Sequence, residues 1–332
     1  MNRHVTELEF ERDLADIRTT LERLEKAEAK GGPDVVAQAN KVRASYDQAL
    51  TEIYRDLTPW QRVLISRHPQ RPRFLDYVAT LFPDFIELHG DRHFGDDGAI
   101  VGGLATFADR SVMLVGEQKG RSTKENITRN FGMPHPEGYR KAERLMRTAG
   151  KFDLPIISFI DTSGASALQD DEARGVSWAI AECLKTQADL HVPIIAVVIS
   201  EGMSGGAIAI AMGNRVLMLE HAVYSVIAPE ACASQLWRDV SAAPEAAAAM
   251  QVSASQLLQL GLIDRVIPEP IGGAHRDPEV AAQYVQAALR EEFSLLANEG
   301  INWTAHRYEH YRHLGRMELL MDGSQTTGNG RH

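Results

Sequence analysis

Val192–Gly213, V-P-I-I-A-V-V-I-S-E-G-M-S-G-G-A-I-A-I-A-M-G, decides how this chain folds. Ile194–Ile199 is a continuous apolar run, the pattern of a strand buried on both faces. The run breaks at Glu201-Gly202-Met203-Ser204-Gly205-Gly206, and a helix of small residues begins at once. A helix leaves the N–H groups of its first turn without acceptors and carries the positive end of its dipole there. Where glycine stands at that turn, no Cβ keeps a substrate oxygen away from those groups. The stretch therefore predicts a backbone oxyanion hole at this glycine turn.

A weak echo lies upstream. Leu154-Pro155-Ile156-Ile157 repeats Val192-Pro193-Ile194-Ile195 at a spacing of 38 residues, and it too runs into a glycine turn, Asp161-Thr162-Ser163-Gly164-Ala165. Ile100–Phe107 and Ser111–Glu117 read as two strands joined at Ala108-Asp109-Arg110, with a helix over Glu137–Lys151. Strands over Pro155–Ile160 and Pro193–Ile199 flank a helix near Glu172–Ala188, and short strands follow at Val216–Leu219 and Tyr224–Ile227. Strand–strand–helix units with right-handed crossovers wind into an α/β superhelix. Helices are expected further on at Ala243–Met250 and Ser253–Leu260.

Upstream of this body, Phe10, Leu14, Ile17, Leu21 and Leu24 alternate spacings of four and three, the seam of a packed helix. Gly31-Gly32-Pro33 stops it, and Val42, Tyr46, Ala49, Ile53 and Leu57 continue the spacing in a return helix. His68–Pro72 reads as a rigid connector to a helix over Phe74–Leu81. The expected organisation is an N-terminal helical hairpin for subunit interaction (1–66), a catalytic domain (67–320) and a Gly/Ser/Thr/Asn-rich disordered tail (321–332).

At 332 residues, 44% hydrophobic and 24% charged, the chain can bury a sizeable core. A net charge of −10 argues against general nucleic-acid or anionic-membrane binding. Met1–Glu11 is polar and charged rather than a signal peptide, and no apolar run approaches the ~18 residues of a bilayer span, so a cytoplasmic protein is expected. Cys183 and Cys232 read as buried free thiols, too few to build a zinc site. Lys119–Lys151 holds nine Lys/Arg against three Glu, which suggests a local anionic ligand or, alternatively, a solvated helix face.

Competing motifs are present. Gly202-Met203-Ser204-Gly205-Gly206 also fits G-x-S-x-G, the nucleophile elbow of serine hydrolases, with Asp264 and His275 in the right order for a triad. Against that, Ser204 can serve simply as a helix N-cap, and one nucleophile leaves the second glycine turn unexplained. His306-Arg307-Tyr308-Glu309-His310 matches H-x-x-E-H, but the interleaved Arg307 and Arg312 favour a solvated basic helix over a metal site. Asp91, Asp96 and Asp97 lack the closing Glu of a calcium loop and read as a polar surface loop. Lys119–Thr123 lacks the leading glycine spacing of a phosphate-binding loop.

Several further blocks resemble the alpha subunits of bacterial multi-subunit acetyl-coenzyme A carboxylase carboxyltransferases. They include Arg67–Arg71 (R-H-P-Q-R), Leu75–Val78 (L-D-Y-V), Ala99–Gly103 (A-I-V-G-G) and Gln118–Arg121 (Q-K-G-R). Asn130–Pro134 (N-F-G-M-P), Pro136–Ala142 (P-E-G-Y-R-K-A), Ser204–Ala207 (S-G-G-A), Pro229-Glu230 and Ile267–Arg276 (I-P-E-P-I-G-G-A-H-R) extend the likeness over Val5–His313. The resemblance implies a crotonase-like ββα superhelix and transfer of CO2 from carboxybiotin, held on a biotin carboxyl carrier protein, to acetyl-CoA, giving malonyl-CoA for fatty acid synthesis. It implies a beta subunit in an α2β2 assembly, carrying a zinc ribbon and most of the acyl-CoA pocket. It also implies a biotin carboxylase that alone uses ATP, and no metal on this chain. Such chemistry needs two charge-stabilising sites, one for the thioester enolate oxygen and one for the biotin ureido oxygen. Biotin nitrogen can take the acetyl proton, so no side-chain base is demanded.

By the same resemblance Gly205 and Gly206 supply the biotin-side amides, with Gly164, Ala165, Ser204, Gly202 and Met203 lining the pocket. Lys119, Arg121, Lys124 and Arg129 are candidate neighbours of the CoA phosphates. The family pattern D-T-P-G-A-Y-P-G is here Asp161–Leu168, D-T-S-G-A-S-A-L, which removes the prolines that would stiffen the turn. Met203 stands where the family has Gly, putting a long side chain beside the predicted hole, and Ala231 replaces another Gly. These changes point to altered acyl or biotin handling, or a catalytically weakened relative, as alternatives to the parent activity. Gly206→Val is expected to abolish malonyl-CoA formation while leaving folding largely unharmed.

Overall fold

In the computed structural model, which describes residues 6–28, 33–296 and 301–314, the predicted N-terminal seam folds as α1 (Arg12–Glu28) and α2 (Pro33–Arg55). Leu14, Leu21 and Leu24 are buried between them. Gly31-Gly32 and the 321–332 tail lie outside the described residues. A polar anchor docks the hairpin on the body. Glu11, fully buried, accepts from Arg276 Nη2 at 2.5 Å and Tyr54 OH at 2.8 Å, and Arg276 Nη1 donates to Tyr46 OH at 2.6 Å. A charge-assisted bond of this kind satisfies a carboxylate that would be costly to bury alone.

Thr58 and Gln61 form a capping box that starts α3 (Pro59–Ser66), and Val63 of α3 packs against Met203, Val223, Ala247 and Val252. The connector beyond α3 is more than a spacer. Arg71 is 2% exposed, its Nε donates to Ile199 O at 2.9 Å, and its fork grips Glu269 at 2.7 and 2.6 Å. Helix α4 (Phe74–Leu81) then lays Phe74, Tyr77, Val78 and Leu81 into the core.

The remaining chain builds one eight-stranded sheet, ordered β1-β2-β3-β4-β5-β6-β8 with β7 beside β5. Strands β1 (Ile86–Glu87), β2 (Ile100–Phe107) and β3 (Arg110–Glu117) are antiparallel, and from β3 onward every pairing is parallel. Helices α5 (Thr123–Thr128) and α6 (Pro136–Lys151) lead to β4 (Ile156–Thr162). The helix expected over Glu172–Ala188 is two, α7 (Gln169–Ala173) and α8 (Val176–Asp189), parted by Gly175 at φ 82°. Strand β5 (Ile194–Met203) runs directly into α9 (Ser204–Ala211). Then come β6 (Arg215–Leu219), β7 (Val223–Ser225), α10 (Pro229–Leu236), α11 (Ala243–Met250), α12 (Ala254–Gln259), β8 (Arg265–Ile267), α13 (Pro278–Leu296) and α14 (Trp303–His313).

The sequence echo becomes a physical neighbour pair: Ile156 faces Ile194 and Ile157 faces Ile195 in the β4–β5 ladder. Both strands are buried on both faces, as their unbroken apolar runs require. Beyond Ile160–Val198 the register slips to Thr162–Gly202, so that Asp161 alone opposes Ile199, Ser200 and Glu201. Such a bulge bends a strand and re-aims the residues beyond it.

The C-terminal helix α14 departs from the solvated-helix expectation. Arg307 is fully buried and donates to the carbonyls of Gln187, Leu190 and Val192 and to Asn214 Oδ1 at 2.6–2.9 Å. It serves the orphan carbonyls at the end of α8, which need donors. Both cysteines are free and buried, and no described helix is long and apolar enough to cross a membrane.

Candidate active site

At the β5–α9 junction the backbone reverses in one residue. Ser204 is exposed and takes φ 58°, a left-handed conformation that costs a side-chain-bearing residue energy. Met203 is the N-cap, and no side chain caps this helix, so the expected N-cap role of Ser204 is not found. The N–H groups of Gly205 and Gly206 lie in the first turn, where no residue four back can serve them, and no other acceptor takes them among the described residues.

The two glycines differ sharply in surroundings. A Cβ on Gly205 would meet nothing nearer than Ile180 at 3.7 Å, whereas one on Gly206 would lie 2.6 Å from Gly164 C and Ala165 N. Gly206 thus seats α9 on the second glycine turn, and the two turns sequence reasoning paired by analogy do touch. The same contact corrects the expectation for Gly206→Val, because that side chain would strike backbone and disturb folding as well as chemistry.

The β4 turn is held by hydroxyls. Thr162 Oγ1 lies 2.6 Å from Gly132 O and 2.8 Å from Gly164 O, and accepts Gly164 N–H at 3.1 Å. Gly164 takes φ 140°, a region open chiefly to glycine. Ser166 N–H donates to Pro134 O at 3.0 Å, and Ser166 Oγ donates to Asp171, which also receives His135 Nδ1 at 2.8 Å and Arg174 Nη2 at 2.5 Å. These bonds stiffen a turn, Asp161–Leu168, that contains no proline.

Beneath both turns lies a row of buried carboxyls. Glu117 ends β3, and its Oε2 accepts Asp161 N–H at 3.0 Å. Lys119 Nζ stands 2.8 Å from Asp161 Oδ1, off the axis of a good hydrogen bond, and donates to Glu201 Oε1 at 2.6 Å. Arg67 Nε donates to Glu201 Oε2 at 2.8 Å and its Nη1 to Glu230 at 2.5 Å. Burial pushes the Glu201 carboxyl up, but Lys119 and Arg67 outweigh it and hold it at about 2. Burial pushes Glu117 well above the usual carboxylate range, outweighing the Asp161 N–H bond that favours its charged form. Sequence reasoning missed Glu117, Asp161, Glu201 and Arg67 as a group. The only signal available was that each is a charged residue at the end of an apolar run or within a quoted block.

The other sequence candidates scatter. Met203 is 1% exposed and packs inward with Val63 and Val223, so it does not crowd the junction as expected. Gly202 lies inside β5, where a Cβ would press on Tyr224 and Ile160. Of the four proposed phosphate neighbours, Lys119 is committed to two carboxylates, Arg121 pairs with Asp76, and Arg129 donates to Gly98 O at 2.6 Å. Lys124 is exposed on α5.

Part of the remaining basic segment is absorbed internally, while Arg147 and Lys151 are exposed. Arg140 binds Asp91 at 2.8 Å and Lys141 binds Asp96 at 2.5 Å, so cationic side chains occupy the carboxylates of the Asp-rich loop. No triad assembles for a hydrolase: Asp264 holds Arg215 and Val216 N–H, while His275 stacks on His68 at 3.8 Å. His306 and His310 line a cavity of about 760 Å³ with Asp264. Glu309 and His313 line the same cavity but are both exposed. No group of three such ligands that could hold a metal ion occurs among the described residues.

With this geometry in place, the likenesses to known proteins are informative. Residues 7–315 match a family model described as acetyl co-enzyme A carboxylase carboxyltransferase-like. The chain is 54% identical over 291 residues to the acetyl-coenzyme A carboxylase carboxyl transferase subunit alpha of Bordetella avium, covering 88% of this chain and 91% of that one. It is 49% identical over 317 residues to the same subunit of Geobacillus kaustophilus, covering 95% and 98%. Among solved structures it resembles a chain of a Pseudomonas malonate decarboxylase hetero-tetramer in complex with coenzyme A, with TM-score 0.58 at 18% identity over 70% of this chain and 91% of that one. Transcarboxylase 12S gives TM-score 0.54 at 20% identity, covering 70% and 44%. These distant likenesses support the crotonase-like fold.

Proposed function

Because the chain belongs to the acetyl-coenzyme A carboxylase carboxyltransferase family, as an alpha-type subunit of that biotin-dependent transferase, we propose that Gly205 and Gly206 stabilise negative charge on the biotin ureido oxygen during carboxyl transfer. One observation carries this reading: two unclaimed N–H groups open the first turn of α9, and a Cβ added at Gly205 would meet only Ile180, at 3.7 Å. Biotin held on its carrier protein supplies the transferable carboxyl group. This chain contributes oriented dipoles that need no reorganisation as charge develops, each donor worth about 3 kcal/mol to the transition state. The positive end of α9 adds to them.

The side chains of the site are engaged elsewhere. His135 is held by Asp171, and Glu201 and Asp161 by Lys119. None of them stands poised as a base beside Gly205, in keeping with chemistry in which the acetyl proton goes to biotin nitrogen. A beta subunit supplies the acyl-CoA pocket in an α2β2 assembly, and a biotin carboxylase, where ATP is spent, recharges the carrier in the cytoplasm. Residues 1–66 serve subunit contact and 67–320 form the transfer domain. Lys124, exposed on α5, remains the candidate for the CoA phosphates, with Arg121, paired to Asp76, just before that helix.

The test is co-purification with the beta subunit followed by malonyl-CoA formation from carboxybiotin and acetyl-CoA. Wild type is expected to turn over, and Gly205→Val to lose about 100-fold or more in kcat, the effect of closing an oxyanion site. Undiminished turnover by Gly205→Val overturns the assignment.

A further inference from the structure

The backbone ladder between β4 and β5 fails at the point where the two glycine turns begin. Asp161 opposes three residues of β5, and within that slip no main-chain pairing sets the distance between the strands. Lys119 spans the gap. Its ammonium meets Asp161 of β4 at 2.8 Å and Glu201 of β5 at 2.6 Å, three residues before Gly164 and four before Gly205. We propose that Lys119 is a positioning residue: by clamping Asp161 to Glu201 across the bulge, it sets the separation of the two glycine turns and so aims the Gly205 and Gly206 amides.

The surroundings fit a fixed clamp rather than a loose surface pair. Lys119 has a side-chain exposure of 16%, against 2% for Asp161 and 7% for Glu201. Its stem runs against Gly132, at φ 75°, where any Cβ would come within 2.5 Å of Lys119 Cγ. Gly132 O is in turn bound by Thr162, whose Oγ1 also takes Gly164 N–H. The lysine therefore touches the β4 turn by two routes, one ionic and one through Gly132 and Thr162. On the β5 side every bulge residue is tied: Ile199 O to Arg71, Ser200 Oγ to Ser66 O, and Glu201 to Arg67. Buried ion pairs are a poor way to gain stability, since desolvation offsets their attraction. A clamp of this kind is better explained by the geometry it imposes, because a misplacement of about 1 Å at a reacting centre can cost about 100-fold in rate.

The inference rests on the oxyanion reading above, and the test separates the two. In the assembled α2β2 enzyme, Lys119→Met is expected to lower kcat about 10- to 100-fold while KM for acetyl-CoA stays within about twofold, as misaimed amides would do. Lys119→Arg, whose fork can bridge both carboxylates, is expected to recover most of that loss. Should Lys119→Met fail to assemble, Asp161→Asn cuts one arm of the clamp with the lysine in place and is read the same way. The clamp is overturned if kcat per assembled site is unchanged in these variants, or if Lys119→Arg is no better than Lys119→Met. If Gly205→Val abolishes turnover while Lys119→Met does not, the clamp falls and the oxyanion reading stands. If both keep full turnover, the oxyanion reading falls and takes the clamp with it.

Discussion

The β4 and β5 turns begin from one motif in one register and end as different devices. After Val192-Pro193-Ile194-Ile195, strand passes to helix in a single strained residue, Ser204, and the backbone alone forms the site. After Leu154-Pro155-Ile156-Ile157 the chain wanders from Gly164 to α7, and Thr162, Ser166, Asp171 and His135 hold it with side-chain hydrogen bonds. A site made of main-chain amides cannot be deleted by trimming a side chain, only obstructed or misplaced. The β4 turn, by contrast, is open to point mutation through the side chains that hold it.

The contact between the turns predicts the largest effect. Gly206→Val should cost about 1–3 kcal/mol or more, the range for overpacked sites, because its side chain meets backbone atoms that cannot rotate away. Thermal unfolding and malonyl-CoA formation should both suffer. Gly205→Val should leave unfolding within about 1 kcal/mol of wild type, since its first carbon would meet only the Ile180 side chain at an ordinary contact distance of 3.7 Å and valine costs little in a helix, yet remove nearly all turnover. Equal loss of stability in the two variants would erase the distinction between a packing glycine and a site glycine.

How far the sequence reveals this depends on which physics is local. The apolar runs of β4 and β5 and the glycine turns behind them are legible because burial on both faces leaves a continuous pattern. The seam of the hairpin follows from a rule as local, whereas the stretch Glu172–Ala188 reads as one helix and the break at Gly175 shows only in the fold. The side-chain direction of Met203 is not legible, because the bulge shifts the alternation by which strand residues point in or out. Nor is the Lys119 clamp, whose partners come from two later strands and whose positive charge read more naturally as an anion contact. Arg307 misled for the same reason: a basic residue in a charged helix looks solvated until the carbonyls it serves are seen.

Smaller effects should separate the turns further. Thr162→Val removes the hydroxyl that joins Gly132 to Gly164 and leaves those groups underserved, at a cost of about 1–3 kcal/mol and a several-fold fall in kcat. A change of similar size at Ser200, bonded to Ser66 O on the β5 side, should touch stability alone. Glu117→Gln tests the carboxyl beneath. Its folded-state pKa is raised by burial, so above the ordinary carboxylate value of 4.5 the folded chain keeps a proton that the unfolded chain releases. Wild-type stability should therefore decline with rising pH, by up to about 1.4 kcal/mol per pH unit until the folded group ionises. Glutamine imitates the neutral acid and removes that slope, so the advantage of Glu117→Gln in melting temperature should widen from pH 5 to pH 8. A constant difference across that range would mean that Glu117 is ionised in the folded protein.

Ser204 should matter least, although its setting most resembles that of a nucleophile. It is exposed, at positive φ, between a strand and a helix, as an elbow serine would be. What it lacks is a base: His275 is stacked on His68 and Asp264 is engaged with Arg215, so nothing is placed to take its proton. The reason for the strained backbone is then the abrupt turn itself, which aims the next two amides. Ser204→Ala should retain most carboxyl transfer, and Ser204→Gly should retain it with up to about 1 kcal/mol of added stability, since glycine relieves the positive φ. Abolished turnover in Ser204→Ala, together with wild-type labelling by a fluorophosphonate, would move the chemistry from the amides to the hydroxyl and make the β5 turn a side-chain device after all.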